Sequence, residues 1–306
     1  METFRENSRN KLKSSPIDRI YLGVIYAFLA VFTLIVLYPL IYVVSCSFSS
    51  AESLVRGQVF FLPVNLSLQG YDAVFNNKQV WTGYMNTIIY TVTGTLVGVI
   101  VTIIGAFVLS RREFPMRNVL AGLFTVTMFF SGGLLPFYLV VRDLGMLNTI
   151  WAIILPGAFS VWLAIIGRTF IQSTIPEELF EATSLDGGSY FQFFTKIVLP
   201  LSKPILAVLA LNLAVGHWNS YFSALIFFRD SAKFPLQIVL RNILISNTFN
   251  ANSLNSTDAK SLMEKQFLAE LLKYSLIIIS SVPLLVVYPF IQKYFIKGVM
   301  IGSIKG

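Results

Sequence analysis

Long apolar stretches alternate with short polar ones along this chain. Residues 21–44 are nearly all apolar, and further runs cover 84–109, 119–141, 150–171, 197–228 and 271–291. Each is long enough to cross the hydrocarbon core of a bilayer, which takes about 20 helical residues. Lipid offers no partner to a backbone N–H or C=O, so runs of this length satisfy themselves as helices. The pattern therefore predicts an all-α, polytopic membrane protein with six transmembrane helices. Gly94, Gly98, Gly105, Gly132, Gly133, Pro136, Pro204 and Pro283 lie inside the runs and predict close helix packing and local kinks. Ser131-Gly132-Gly133 reads first as a close helix contact, with a bend beside a cavity as the alternative. The first run stays bulky to its end, through Tyr38-Pro39-Leu40-Ile41-Tyr42. It is read as a retained span rather than a cleaved signal peptide.

Composition agrees, since 55% of residues are hydrophobic and only 12% charged. Soluble chains carry about 25% charged residues. The net charge of +8 does not point to nucleic acid, because the basic residues flank the apolar runs instead of gathering on one face. Arg5, Arg9, Lys11, Lys13, Arg19, Arg111, Arg112, Arg117, Arg168, Lys196, Lys203, Lys293, Lys297 and Lys305 fall on one side of the predicted membrane. By the positive-inside rule both termini are expected in the cytoplasm. The expected organisation is a cytoplasmic segment 1–20, a six-helix membrane domain 21–295 and a cytoplasmic tail 296–306. Within the domain, a cytoplasmic loop is expected at 176–200 and an outer loop at 229–270.

Several chemistries are excluded. One cysteine, Cys46, and one histidine, His217, leave no disulfide, thiolate cage or histidine cluster, so no metal is expected. There is no G-x-x-x-x-G-K-[ST] phosphate loop for ATP. None of the six runs contains an Asp or Glu of the kind that relays protons or sodium. An ion-coupled secondary transporter, which stays as the alternative reading, and an intramembrane enzyme both lack their central groups, so the energy for any transport is expected to come from another chain.

The most informative segment is Ile175-Pro176-Glu177-Glu178-Leu179-Phe180-Glu181-Ala182-Thr183-Ser184-Leu185-Asp186-Gly187-Gly188. Pro176 suits a first helical turn, Glu177 and Glu178 complement its positive end, and the glycine pair supplies a left-handed stop. A helix of about ten residues is predicted. Leu179, Ala182 and Thr183 fall on one side of it, with Phe180 and Ser184 on an adjoining strip. Such a helix either inserts into a partner's cleft or lies on the lipid interface.

The run Glu181-Ala182-Thr183-x-x-Asp186-Gly187-Gly188, followed after five residues by Phe194-x-x-Ile197-x-Leu199-Pro200, resembles the E-A-A loop of binding-protein-dependent ABC importer permeases. The family pattern reads E-A-A-x-x-D-G-A, five residues, F-x-x-I-x-L-P, so the chain departs from it at Thr183 and Gly188. Further resemblance to the sugar-importing branch, and within it to the maltose-permease G-type subunit, is carried by Asn65-Leu66-Ser67, Leu147-Asn148-Thr149, Trp218-Asn219 and Tyr288-Pro289-Phe290-Ile291-Gln292-Lys293. The resemblance implies a type I importer permease fold. It also implies a second, non-identical permease, two cytoplasmic ATPase subunits that bind ATP and magnesium, an extracytoplasmic solute-binding protein, an oligosaccharide substrate and a bacterial cell membrane. No cofactor is expected on this chain. Phe180, Glu181, Ala182, Thr183, Leu185, Asp186, Gly187 and Gly188 are the residues it implies for ATPase coupling. A non-sugar solute such as a glycerol phosphate is the alternative cargo.

Trp218, Asn219 and Tyr221 offer a stacking surface and hydrogen-bonding groups in the fifth run, and are candidates for the substrate path or for ordinary interhelical packing. His217 reads as a histidine bonded within the bundle, Arg142-Asp143 as a solvated pair or a receptor contact, and 234–241 as a short outer helix.

Overall fold

Apolar runs of this length, started by capping residues, fold as helices throughout, and no strand occurs among the described residues. The structure is a computed structural model. It describes residues 15–252 and 270–289, with side chains described up to 245 in the first stretch. The segments 1–14, 253–269 and 290–306 lie outside the described residues. With them go most of the expected N-terminal segment, part of the 229–270 loop, Gln292-Lys293 and the 296–306 tail.

Helix α1 (Pro16–Ser47) begins with Pro16 at its first turn and with the Ser15 N–H donating to the Asp18 carboxylate at 2.9 Å. Most of its apolar side chains are exposed. Only its end is held: Ser45 Oγ donates to the Phe61 carbonyl at 2.7 Å, and Tyr71 OH donates to Ser47 Oγ at 2.8 Å. The polar connection that follows carries α2 (Ala51–Val55) and α3 (Gln69–Phe75).

Helix α4 (Lys78–Ser110), capped where Asn77 Oδ1 accepts from the Gln79 N–H at 2.9 Å, is the axis of the bundle. Against it pack α8 (Val161–Thr174), α12 (Lys203–Trp218) and α14 (Leu236–Asn252). Gly94 and Gly98, four residues apart on one face, let α12 approach closely. A Cβ on Gly94 would stand 2.5 Å from His217 Nε2, and one on Gly98 would stand 2.9 Å from Leu213 Cδ1. Ile103, Phe107, Leu163, Phe193, Ile205 and Leu209 fill the core between these helices. A second core joins Val74, Val80, Leu236 and Leu272 and ties in α15 (Glu270–Pro289). The helix expected at 234–241 is present as the start of α14.

The runs do not fold as six unbroken spans. Among the described residues α1, α4 and α15 are long and apolar enough to cross a membrane, and two bent helix pairs raise the number to five. The 119–141 run is α5 (Arg117–Phe129) followed by α6 (Leu134–Asp143), bent by 116°. The turn is made at Gly133, whose φ of +86° suits glycine, and neither Gly132 nor Gly133 has a neighbour within 4 Å of a Cβ position. Ser131-Gly132-Gly133 is thus the bend and not the close contact. The 150–171 run splits into α7 (Trp151–Ile154) and α8, with Pro156 and Gly157 in the break. The 197–228 run breaks between α12 and α13 (Tyr221–Phe227), at Asn219 and Ser220. Ahead of α12, α10 (Tyr190–Phe193) and α11 (Leu199–Leu201) are joined by a π-turn, Phe194–Val198, and this Tyr190–Leu201 arm meets α12 at 80°.

Candidate functional site

The loop between α8 and α10 holds α9 (Glu178–Leu185), eight residues long, with Pro176 lying before its N-cap and not inside its first turn. Its end is a Schellman stop. The Gly188 N–H donates to the Thr183 carbonyl at 2.8 Å and the Gly187 N–H donates to the Ser184 carbonyl at 3.1 Å, with Gly187 at φ +73°. Gly188 has a steric reason of its own, since a Cβ there would stand 2.6 Å from Thr183 Cγ2.

What fixes the rotation of α9 is Phe180. Its ring packs on Tyr190 and Phe193, with centroids 5.0 and 5.2 Å away, and the Arg111 guanidinium lies 4.2 Å above its centroid. Arg111 closes α4, is buried, and ion-pairs with Glu177 and with Glu113. Burial alone would push the Glu113 carboxyl up, but hydrogen bonds and the charge of Arg111 outweigh it and hold the group below the ordinary glutamate range. The loop helix is therefore clamped to the end of α4 through one arginine. Turning Phe180 inward leaves Glu178, Glu181, Ala182 and Leu185 on the opposite face, at helical spacing. Leu185 is 90% exposed. Of the Leu179–Ala182–Thr183 strip expected from spacing, Leu179 and Ala182 are exposed and Thr183 is half-buried against the cap.

At another level of the bundle, beside the break between α12 and α13, lies a cavity of about 620 Å³. Ser160, Trp162, Asn212, Asn219 and Tyr221 are among its lining residues, together with His217. The side-chain amides of Asn212 and Asn219 donate to the carbonyls of Val208 and Val215 at 2.9 and 3.0 Å, which fixes them and leaves their oxygens as acceptors. Tyr221 presents its ring to the cavity lining and has the Arg241 guanidinium 5.8 Å from its centroid. Of the three candidates, Asn219 and Tyr221 reach the cavity and Trp218 does not. Trp218 is buried on the other side of α12, its indole N–H donating to the Ser280 carbonyl at 3.1 Å and its ring meeting Tyr84 edge-on. His217 fills the notch left by Gly94. Arg142 and Asp143 form an exposed pair at 2.8 Å.

Sequence reasoning missed three things. Arg111 stood among the basic flanking residues, with nothing to mark it as a clamp. Trp162 lay in a run whose break was not foreseen. Asn212, a lone amide in an apolar run, was a signal that a search of the spans for polar residues finds.

Apolar helices arranged round a cavity of mixed apolar and polar lining, with a clamped loop helix beside it, fit a multi-pass membrane protein. The chain belongs to the family of binding-protein-dependent transport system inner membrane components, which it matches over residues 11–301. It is similar to the polygalacturonan/rhamnogalacturonan transport system permease protein YtcP of Bacillus subtilis, with 38% identity over 94% of this chain and 99% of that one. With LplC of the same organism it shares 40% identity over 89% of this chain and 90% of the relative. Among solved structures it is similar to a bacterial ABC transporter involved in the import of the acidic polysaccharide alginate, with a TM-score of 0.82 and 36% identity over 92% of this chain and 98% of that one. The permease fold expected from the E-A-A resemblance is the fold observed.

Proposed function

We propose that the chain forms half of the translocation path of an ATP-driven importer for oligosaccharides, and that α9 is the element through which a separate cytoplasmic ATPase moves it. The observation that carries this reading is the two-faced loop helix: Phe180 and Arg111 hold one face to α4, while Glu181, Ala182 and Leu185 are exposed on the other. A partner closing round that face pushes on α4, and α4 carries α8 and α12 with it. Asn219 and Tyr221 beside the cavity supply the amide and ring chemistry that sugars need. The relatives named for polygalacturonan and alginate support a sugar polymer or its fragments over a glycerol phosphate, and acidic chains in particular. Both termini are then cytoplasmic. A non-identical permease, two ATPases holding ATP and magnesium, and an extracytoplasmic binding protein complete the assembly.

The test is to reconstitute Glu181→Lys with its partners and measure ATPase retention, receptor-stimulated hydrolysis and uptake together. Losing one partner of an interfacial charge pair costs about 2–5 kcal/mol, so the variant is expected to lose uptake and release ATPase. Normal retention with normal uptake would remove α9 from the coupling role. The subunit alone is expected neither to bind nor to hydrolyse ATP.

A further inference from the structure

Beside the clamp lies a second cavity, of about 360 Å³, lined by Ser110, Arg111, Arg112, Arg117, Arg168, Gln172 and Glu177 and by the apolar Ile171, Ile175 and Pro176. Four guanidiniums thus meet one carboxylate, and that carboxylate is already taken by Arg111. Arg117 donates to the Arg111 carbonyl at 3.5 Å. Arg112 and Arg168 have no ion pair among the described residues. Arg168 is the most telling, because it is half-buried on α8 and its side chain is at the cavity instead of in open solvent. A charge bias that only sets orientation needs its arginines near the membrane surface. It does not need them gathered round one hollow, where they repel one another.

We propose that this cavity is a binding site for a phosphate-bearing anion. Guanidinium forks match phosphate oxygens in pairs, and basic hollows between membrane helices on the cytoplasmic side take lipid headgroups. The surroundings fit a phospholipid: α5 starts at Arg117 and runs on into Val119, Leu123 and Val126, all exposed and apolar, where acyl chains find a surface. Since Glu177 and Pro176 line the same cavity, an anion seated there sits against the anchor of the coupling loop and shares Arg111 with it. Anionic lipid thereby braces the end of α4 at the point where α9 is clamped.

The test uses the chain purified with the subunits it assembles with. Lipid retained through delipidation is identified by native mass spectrometry, and thermal stability is measured in phosphatidylcholine nanodiscs, with phosphatidylglycerol included or with inorganic phosphate added. The wild type is expected to retain anionic phospholipid and to be stabilised by phosphatidylglycerol. Arg168→Gln is expected to retain about fivefold less, from about 1 kcal/mol per basic residue near an anionic headgroup, whereas Arg168→Lys keeps most of the effect. Stabilisation by inorganic phosphate alone, lost in Arg168→Gln, identifies a free anion as the source of the same chemistry. The proposal is overturned if Arg168→Gln keeps both stabilisations, or if Arg142→Gln, whose arginine is paired with Asp143 away from this cavity, loses them as strongly. It is equally overturned if Arg168→Gln sheds ATPase while holding its lipid, because a protein carboxylate then fills the cavity.

Discussion

Replacing Gly188 with alanine restores the residue that the E-A-A pattern carries there, yet in this chain it is expected to do harm. An ideal Cβ on Gly188 would stand 2.6 Å from Thr183 Cγ2 and 2.9 Å from the Thr183 carbonyl oxygen. Carbon atoms pack best about 3.5–4.0 Å apart, so the methyl does not fit unless the cap shifts. Overpacking of this kind costs about 1–3 kcal/mol. Thr183→Ala removes the nearer of the two obstacles and improves helix propensity by roughly half a kcal/mol, at the loss of the weak Thr183 Oγ1 bond to the Leu179 carbonyl. The two departures from the family pattern therefore meet in space, the threonine methyl standing in part of the room the alanine would use, while the Thr183 carbonyl stays close to that position with either residue. In a double-mutant cycle Gly188→Ala alone is expected to weaken ATPase association on the order of tenfold, and Thr183→Ala alone to change little. The double variant should recover part of the loss, an interaction of about 1 kcal/mol, with the remainder set by the Thr183 carbonyl. The assay is the apparent affinity for added ATPase in reconstituted assemblies, because a loop that must re-form its cap spends binding energy doing so. Additive single effects would refute the steric pairing.

Gly187→Val acts through the backbone alone, since nothing lies within 4 Å of a Cβ there; its positive φ is expected to cost about 1–2 kcal/mol, leaving membrane insertion normal and receptor-stimulated hydrolysis uncoupled from uptake. Gly94→Ala drives a Cβ into the His217 imidazole and is expected to lower thermal stability in detergent by about 1–3 kcal/mol, whereas Gly122→Ala, inside α5 with open space around it, should leave the melting temperature the same or slightly higher. For orientation, Leu66→Cys, 79% exposed, is expected to react with an impermeant thiol reagent from outside sealed cells and Met116→Cys, 53% exposed, is not. Native Cys46 is buried and silent, and labelling at Met116 would invert the topology.

The class of fold was legible because membrane helices are announced by runs of apolar residues, and the loop helix because its stop is written in two glycines. Gly94 and Gly98 could be read as packing positions, and they are. Breaks inside runs were harder to see. The turn at Gly133 satisfies a backbone conformation, while Gly94 satisfies a neighbour, and in a one-dimensional string the two glycines look alike. The direction in which α9 faces was hidden for a related reason. It depends on Arg111, sixty-nine residues before Phe180 in the numbering, and local periodicity does not reach that far. Trp218 ends α12 and Asn219 is its C-cap, so the two adjacent side chains leave the helix end in different directions and only Asn219 meets the cavity.

Helix α1 shares little surface with the rest of its own chain until Tyr38, whose ring meets Phe61; Tyr42 then meets Tyr274, and at Ser45 the serine and tyrosine bonds take hold. In evolutionary terms, the exposed positions before Tyr38 answer to whatever surrounds the helix and not to this subunit's own core. They are free to drift wherever the surroundings drift with them, while Ser45, Ser47 and Tyr71 are bound to the chain itself. For engineering, that places a natural splice point just ahead of Tyr38. An α1 exchanged there between related proteins carries its lipid or protein preferences along and leaves the bundle around α4 as it was.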